Sequence, residues 1–221
     1  HPDHAALEVR TALWDAAEAR ARERHADHPR PRIRHASNAT DEEEGAGLAA
    51  RGMEVVRHFW QMRRTLDGPV AAGAPPAGVT LAPPRDEDLR DAHQILQTSF
   101  AEHFGHEDEP WDDWLARVTA STTTDLDLWL LARVDGEPVG ALVAHDFGDR
   151  GWVSELGVLE EFRGRGIGEA LLRRSFATLA GRGLPRVLLS VDAQNETGAT
   201  ALYERAGMSV VRRWTLWERE L

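Results

Sequence analysis

The chain has 221 residues, 42% of them apolar, and contains no cysteine. Its size and apolar content suffice for a packed core, and the lack of cysteine excludes disulfides, thiolate metal ligands and a thiol nucleophile. The formal net charge of −11 argues against a nucleic-acid partner, and no stretch is long and uncharged enough to span a membrane. With no secretory signal visible, we expect a soluble, cytoplasmic protein.

The beginning of the chain repeats its end. Three segments near the N-terminus align with three near the C-terminus: His1–Trp14 with Leu159–Leu172, Pro31–Ile33 with Pro185–Val187, and Gly52–Arg57 with Gly207–Arg212. Similarity of several segments in the same order and at nearly the same separation indicates a repeated supersecondary unit. The order of patterns within it predicts helix, strand, helix and strand.

Residues 69–78 are small, rich in proline and uncharged, as is typical of a linker. A strand is predicted at Val79–Ala82 and an amphipathic helix from Asp86 to Phe100. The acidic, aromatic stretch Phe100–Trp114 has two interpretations: a solvated connector between helices, or one wall of a pocket for a cationic amine. His103 and His106 lack further ligands at suitable spacing, so no metal site is expected.

The remaining pattern is that of a mixed α/β domain. A hairpin is predicted from Leu126–Val134 and Pro138–His145, joined by Asp135 and Gly136. Further predicted elements are a strand at Trp152–Val158, a helix from Ile167 to Gly181, a strand at Val187–Val191, a loop at Asp192–Asn195, a helix at Glu196–Arg205 and a strand at Met208–Trp217.

The connection between the strand at Trp152–Val158 and the next helix is rich in glycine and arginine. Glycine lets the backbone turn its N–H groups inward, the helix N-terminus adds partial positive charge, and Arg163 and Arg165 add full charges. These features predict a phosphate or pyrophosphate site. It is not a Walker loop, because the chain has no lysine, and it is not a dinucleotide loop, because Glu169 replaces the third glycine.

The spacing Arg163-x-x-Gly166-x-Gly168 resembles the R/Q-x-x-G-x-G/A loop of the GNAT superfamily, the acyl-CoA-dependent N-acetyltransferases. Val191–Asn195, followed by Ala201–Met208 with its Leu-Tyr and Gly-Met pairs, is similar to the usual ending of that family. The resemblance covers residues 79–221. It implies the GNAT fold: a mixed, mostly antiparallel central sheet with a splayed strand pair and flanking helices.

The resemblance also implies roles for particular residues. Tyr203, the only tyrosine, would be the general acid, against the alternative of a packed core tyrosine; Glu155 would be the general base, against that of a carboxylate paired with arginine. The Val158 N–H would stabilise the oxyanion, and Asn195 would contact the pantetheine arm or phosphates, or else cap the next helix. The candidate cofactor-binding residues are Leu156, Val158, Arg163, Gly164, Arg165, Gly166, Ile167, Gly168 and Asn195.

The first copy of the repeat lacks these features. Ala5–Arg10 replaces the Arg163–Gly168 hexapeptide, Glu8 would repel a phosphate, and Ala49 or a neighbour takes the place of Tyr203. Residues 1–68 are therefore predicted to be the degenerate C-terminal half of a GNAT-like domain. The chain resembles the tandem-GNAT arrangement, with residues 79–221 as the acetyltransferase domain and one active site.

The expected function is transfer of an acetyl group from acetyl-CoA to the primary amine of a small-molecule acceptor. Three alternatives stay open: a non-catalytic acyl-CoA-binding module, an interaction protein in which the degenerate half does the work, and a tandem enzyme similar to mycothiol synthase. The sequence does not define the oligomeric state.

Overall fold

The computed structural model describes residues 2–24, 30–195 and 198–221, with side chains from residue 8 onward. The helices are α1 (Pro2–Arg24), α2 (Glu42–Ala50), α3 (Leu89–Phe100), α4 (Trp111–Ala120), α5 (Ile167–Gly181) and α6 (Ala199–Arg205). The strands are β1 (Arg32–Asn38), β2 (Glu54–Thr65), β3 (Val79–Ala82), β4 (Leu130–Val134), β5 (Glu137–Asp146), β6 (Gly151–Val158), β7 (Arg186–Asp192) and β8 (Ser209–Glu220). Short 3-10 turns lie at Asp86–Asp88, Leu126–Leu128 and Glu160–Phe162.

The strands form one sheet in the order β1-β8-β2-β7-β6-β5-β4-β3. Its registered pairs β1–β8, β3–β4, β4–β5 and β5–β6 are antiparallel, and β6–β7 is parallel. The predicted fold class, an α/β protein with a mixed, mostly antiparallel sheet and flanking helices, is confirmed.

The chain divides into two compact units. The first unit contains His1–Phe59, Asp192–Gln194 and Arg212–Leu221, and the second contains Trp60–Val191 and Asn195–Val211. The boundary falls inside strands β2 and β8. The predicted domains, residues 1–68 and 79–221, are defined by the sequence repeat and not by compactness. Their boundaries stay a prediction.

Helices α3 and α5 cover opposite faces of the sheet in the second unit. A Cβ built on Gly157 would meet Ser99 and Leu96 of α3, whereas the neighbouring Val158 side chain lies on the side of Leu171 of α5. Successive residues of a strand point to opposite faces, so the two helices lie on different sides of β6. Burial of α3 and α5 explains their helical apolar spacing.

The end of β2 belongs to the core of the second unit. Met62 is fully buried and Leu66 is nearly so, both within the same apolar cluster as Val187 of β7. The Leu66 N–H donates to the Pro185 carbonyl at 2.9 Å. Residues that the repeat assigns to the first half therefore help to build the second unit.

Two local predictions can be compared with the structure. Asp135 and Gly136 both have positive φ, 51° and 91°, as the predicted two-residue hairpin turn requires. The prediction of a strand from Leu126 is wrong, because Asp125 accepts a hydrogen bond from the Asp127 N–H at 3.0 Å and starts a 3-10 turn. The strand begins at Leu130. The predicted start of the last helix, Glu196, lies outside the described residues.

Two tryptophan rings pack against helix α2 in the first unit. The Trp14 and Trp217 rings lie against Gly47 and Gly45 of α2, and the Trp217 indole N–H donates to Ser37 Oγ at 2.9 Å. The small residue matters most at Gly47, because a Cβ there would lie 3.0 Å from the Trp14 ring, whereas a Cβ at Gly45 would meet the Trp217 ring at 3.4 Å, an ordinary contact.

Candidate active site

The connection between β6 and α5 adopts the geometry that its glycines allow. After a 3-10 turn at Glu160–Phe162, Gly164 and Gly166 take φ of 75° and 79°, and α5 begins at Ile167. Other residues adopt such values only under strain. Since the first amides of a helix have no intrahelical partner, the loop directs N–H groups outward at the positive end of α5.

Both arginines of the loop fold back onto its backbone. Arg163 Nε donates to the Val158 carbonyl at 3.0 Å, and Arg165 Nη2 donates to the Glu161 carbonyl at 2.9 Å. The Arg165 guanidinium also lies 4.9 Å from the Phe162 ring centre. Each guanidinium has more donors than these contacts use, so both arginines keep donors for an anion.

Gly168, the last residue of the motif, lies where α5 packs closely against α6 and β6. A Cβ there would lie 3.2 Å from Leu202 Cδ2 of α6 and 3.8 Å from Val158 Cγ2 of β6. The small residue therefore lets α5 approach the helix that carries Tyr203.

Strands β6 and β7 separate next to this loop. Their parallel register pairs only Gly151 with Val187 and Trp152 with Leu188. The strands continue to Val158 and Asp192, so in the described chain the second half of β6 has an open edge toward β7. The Leu159 N–H donates to Val139 on β5, at 3.0 Å. Because amides alternate along a strand, the Val158 and Leu156 N–H groups point to the open edge.

A bulge in β6 determines the orientation of Glu155. On β5, Val143 pairs with Glu155 and the next residue, Ala144, pairs with Val153, so Ser154 is the extra residue. Gly151, before the bulge, faces Leu179 of α5. Strict alternation would place Glu155 on that same face; the bulge moves it to the face of α3 instead.

Glu155 lines a cavity of about 610 Å³ between β6, helices α3 and α4, and their connector. Burial raises the pKa of Glu155, which the charge of Arg117 opposes. The other lining residues are Leu96, Gln97, Phe100, Gly105, His106, Glu107, Asp108, Glu109, Pro110, Asp113 and Arg117. Thus much of the acidic stretch Phe100–Trp114 borders the cavity that contains the candidate base.

Tyr203 lies on α6, partly buried against the core of the second unit. Burial raises its pKa to about 12, so the phenol stays protonated at neutral pH. Tyr203 is not among the residues that line the Glu155 cavity. The two candidate catalytic residues are therefore not brought together in one cavity.

Asn195 follows β7 and reaches the connector between α3 and α4. Its Nδ2 lies 3.5 Å from His103 Nε2, and the His103 ring packs edge-on against Phe100 at 4.5 Å. Since Phe100 lines the cavity, Asn195 lies near the Glu155 side of the site.

Sequence reasoning missed the residues that hold the cavity wall. His93 and Gln97 lie four positions apart on the polar side of α3, and both bind the backbone of Glu109. Spacing of four on a helix could have suggested a common partner. The partner itself could not be predicted, since it depends on the path of the connector.

Within the described ranges, no group of three or more His, Asp or Glu side chains could hold a metal ion. None of the described helices has the length and apolar character to cross a membrane.

Three features define the class of protein: a mixed sheet with a splayed strand pair, a glycine loop at a helix N-terminus and an acidic cavity. The model of the acetyltransferase (GNAT) family matches residues 89–208, more than half of the chain. The chain belongs to this family.

Solved structures agree with this assignment. A GCN5-related N-acetyltransferase from Sphaerobacter thermophilus is 31% identical, with a TM-score of 0.88 over 100% of this chain and 70% of that chain. A tandem GNAT protein from the clavulanic acid biosynthesis pathway is 20% identical, with a TM-score of 0.68 over 95% of this chain and 69% of that chain. A functionally unknown conserved protein from Staphylococcus epidermidis is 18% identical, with a TM-score of 0.64 over 94% and 79%. The last two show the fold alone.

Proposed function

We propose that the protein transfers an acetyl group from acetyl-CoA to the primary amine of a small cationic acceptor in the cytoplasm. The observation that carries the proposal is the bulge in β6. It points the Glu155 side chain toward an acidic cavity that lies beside the open edge of the same strand. That edge leads directly into the glycine loop.

The donor would bind along this edge and loop. The pyrophosphate of acetyl-CoA would contact the amides and arginines of Arg163–Gly168. The pantetheine arm would pair with the open edge at Leu156 and Val158. The outward direction of the Val158 N–H supports its role as oxyanion donor.

The chemistry needs a base for the amine and an acid for the thiol. The amine nitrogen attacks the thioester carbon, a C–N bond forms, and the C–S bond breaks. A cationic acceptor first loses one proton to solvent and becomes the neutral amine. Glu155 takes the second proton, lost as the C–N bond forms, directly or through water, and Tyr203 gives a proton to the departing thiolate. Partial burial raises the pKa of Glu155 and makes it a stronger base than an exposed carboxylate, and the protonated Tyr203 suits an acid and not a base.

The acceptor would enter the cavity that Glu155 lines. Most amines are cations at neutral pH, so the carboxylates of the wall favour their binding. These carboxylates belong to Glu107, Asp108, Glu109 and Asp113. Asn195, close to His103, would contact the pantetheine arm near the same cavity.

We further propose that residues 1–68 are a degenerate half-domain, joined by residues 69–78 to the acetyltransferase domain at 79–221. The element order α1, β1, α2, β2 supports this, since α5, β7, α6 and β8 follow the same order. The chain would thus have one active site.

The test is release of free CoA from acetyl-CoA across a broad panel of amines, including the amino-sugar conjugate used by mycothiol synthase. We expect turnover with small cationic amines. If acetyl-CoA binds but no amine, peptide or antibiotic is acetylated, the protein is a binding module. In that case Tyr203→Phe and Glu155→Gln would leave its binding function unchanged. If acetyl-CoA does not raise the melting temperature, the interaction-protein alternative stands.

A further inference from the structure

Arg117 and Glu109 form a paired charge in the wall of the Glu155 cavity. Arg117 Nε donates to Glu109 Oε1 at 2.8 Å, and Arg117 Nη2 donates to Glu109 Oε2 at 2.7 Å. Two parallel hydrogen bonds hold the guanidinium and the carboxylate in one plane, which fixes the direction of both groups. Each group lines the same cavity as Glu155.

Glu109 is also held through its backbone by helix α3. Its N–H donates to Gln97 Oε1 at 3.1 Å, and its carbonyl accepts from His93 Nε2 at 2.8 Å. A carbonyl only accepts, so His93 Nε2 carries a proton. The His93 ring packs on Trp111 and Trp114, at centroid distances of 5.6 and 5.2 Å. Glu109 is therefore fixed at its carboxylate and on both sides of its peptide backbone.

The charges of this pair act on Glu155 in opposite directions. Burial is the largest influence and raises the pKa of Glu155; Arg117 lowers it, Glu109 raises it and His93 lowers it. The hydrogen bonds from Arg117 lower the pKa of Glu109, which keeps Glu109 ionised. The further charged or titratable groups around the cavity are His106, Glu107 and Asp108 of the connector and Asp113 of α4.

An arginine beside a catalytic carboxylate has two possible effects. If the arginine paired directly with Glu155, it would lower the pKa of Glu155 and make that carboxylate a weak base. Paired with Glu109 through two hydrogen bonds, it offers Glu155 only its long-range charge. The bidentate geometry favours the second arrangement.

We propose that Arg117 and Glu109 are a positioning pair for acetyl transfer, in which Glu109 keeps Arg117 from binding Glu155 and so leaves Glu155 able to take the proton of the amine. The inference rests on the proposed function of Glu155 as the base. Neither residue needs to touch the reacting atoms.

The test compares Arg117→Gln, Glu109→Gln and the double variant. Loss of the Arg117 charge should move the ionisation of Glu155 to higher pH. Glu109→Gln should move it to lower pH, because Arg117 becomes available to Glu155, and should lower kcat several-fold at alkaline pH, where Glu155 is ionised. The double variant should recover much of that kcat. A merely structural role of the pair would not move the titration of Glu155 in opposite directions in the two single variants. Because the long-range charges alone already predict opposite directions, the restraint itself is tested by size: the shift in Glu109→Gln, where Arg117 can bind Glu155 directly, should exceed the shift in Arg117→Gln.

The measurements are the pH dependence of kcat/KM and a carboxyl carbon NMR titration of Glu155 in the free protein, assigned with Glu155→Gln. Arg182→Gln is the matched control: it breaks an ion pair with Asp125 in the same unit, at 2.6 Å, away from the cavity lining. It should leave the Glu155 titration unchanged.

The inference is overturned if Arg117→Gln and Glu109→Gln leave the titration of Glu155 unmoved, shift it in the same direction, or shift it no more than Arg182→Gln. The proposed function fails separately, when the wild-type protein acetylates no amine. The NMR titration still decides the role of the pair in that event.

Discussion

The two segments that the proposed repeat aligns, called the first and the second copy, share a backbone pattern and differ in chemistry. Helices α2 and α6 end in the same turn: the Met53 N–H donates to the Leu48 carbonyl at 3.1 Å, and the Met208 N–H donates to the Tyr203 carbonyl at 3.0 Å. Leu48 is thus the counterpart of Tyr203. The first copy has an apolar side chain at the position where the second has the candidate acid.

The loop shows the same contrast more strongly. Ala5–Arg10 lies within α1, which runs unbroken from Pro2, whereas Arg163–Gly166 forms a loop before α5. The counterparts of Gly164 and Gly166 are Ala6 and Glu8, which favour helix. The comparison teaches that the glycines interrupt the helix and form the loop proposed to bind the anion: without them the aligned segment continues as helix and its amides bond within it.

The helices that follow these segments also differ in burial. Ile167 and Leu171 of α5 are 1% and 0% exposed, while their counterparts Val9 and Leu13 of α1 are 59% and 64% exposed. Phe176 is fully buried in the core; its counterpart Glu18 is buried among arginines. The aligned position is therefore apolar in the second copy and ionic in the first.

The largest effect is expected from giving the second copy the residue of the first at Gly166. Gly166→Glu combines a positive φ of 79° with a carboxylate at the proposed pyrophosphate site. We expect acetyl-CoA affinity to fall by about 100-fold or more, since backbone strain and charge repulsion add. Isothermal titration calorimetry measures it. Gly52→Glu, at φ 76° in the first unit, imposes similar strain and should leave affinity unchanged. Equal losses in both variants would contradict a cradle at Gly166.

Tyr203→Phe tests the second difference between the copies. Removing the hydroxyl removes the proposed proton donor, and we expect kcat to fall about 100-fold with acetyl-CoA affinity retained. Steady-state kinetics and calorimetry separate the two quantities. The control is Leu48→Met at the counterpart position, which conserves volume and should not alter kcat. A Tyr203→Phe enzyme with full activity would identify Tyr203 as a core residue only.

Glu18→Gln tests the ionic core of the first unit. Glu18 is 8% exposed and accepts from Arg51 Nε at 3.1 Å, with Arg219 and Arg22 also paired to it. Neutralising it removes the carboxylate that pairs with Arg219 and leaves Arg51 paired with Asp15, which should destabilise the first unit by about 1–3 kcal/mol.

Hydrogen exchange of the first-unit amides measures this loss without assuming that both units unfold together. Glu23→Gln is the control, because its pair with Arg20 at 2.6 Å is largely exposed and should contribute little. Equal effects of the two substitutions would show that burial of Glu18 has no energetic role.

Local patterns predicted most of the fold. Helical periodicity identified α3 and α5, and the Asp135–Gly136 pair identified the hairpin between β4 and β5, because these signals depend on neighbours in sequence. The 3-10 turn at Leu126–Leu128 was missed, since an apolar run of that length fits a strand equally well. The place of Met62 in the second core depends on contacts distant in sequence, and no local pattern reports it.

The part of the candidate site that a sequence motif describes could be predicted. The glycine loop follows from the spacing of Arg163, Gly166 and Gly168. The orientation of Glu155 does not, because a bulge at Ser154 has no signature in this sequence and one extra residue reverses the face of every residue after it. The bidentate pairing of Arg117 with Glu109 likewise required the structure.

The smallest expected effect is a change in thermal stability, which tests the environment of Glu155. Burial raises its folded-state pKa, so the folded protein favours the protonated form. The contribution of Glu155 to stability is therefore fully present below its unfolded pKa and is lost as pH rises through the folded pKa. Glu155→Gln removes this dependence. The variant should melt above the wild type at pH 8, and the difference should shrink toward pH 4. Calorimetric melting temperatures across this range measure it, and a variant that melts below the wild type at pH 8 would show that ionised Glu155 is stabilised by Arg117 beyond the cost of its burial.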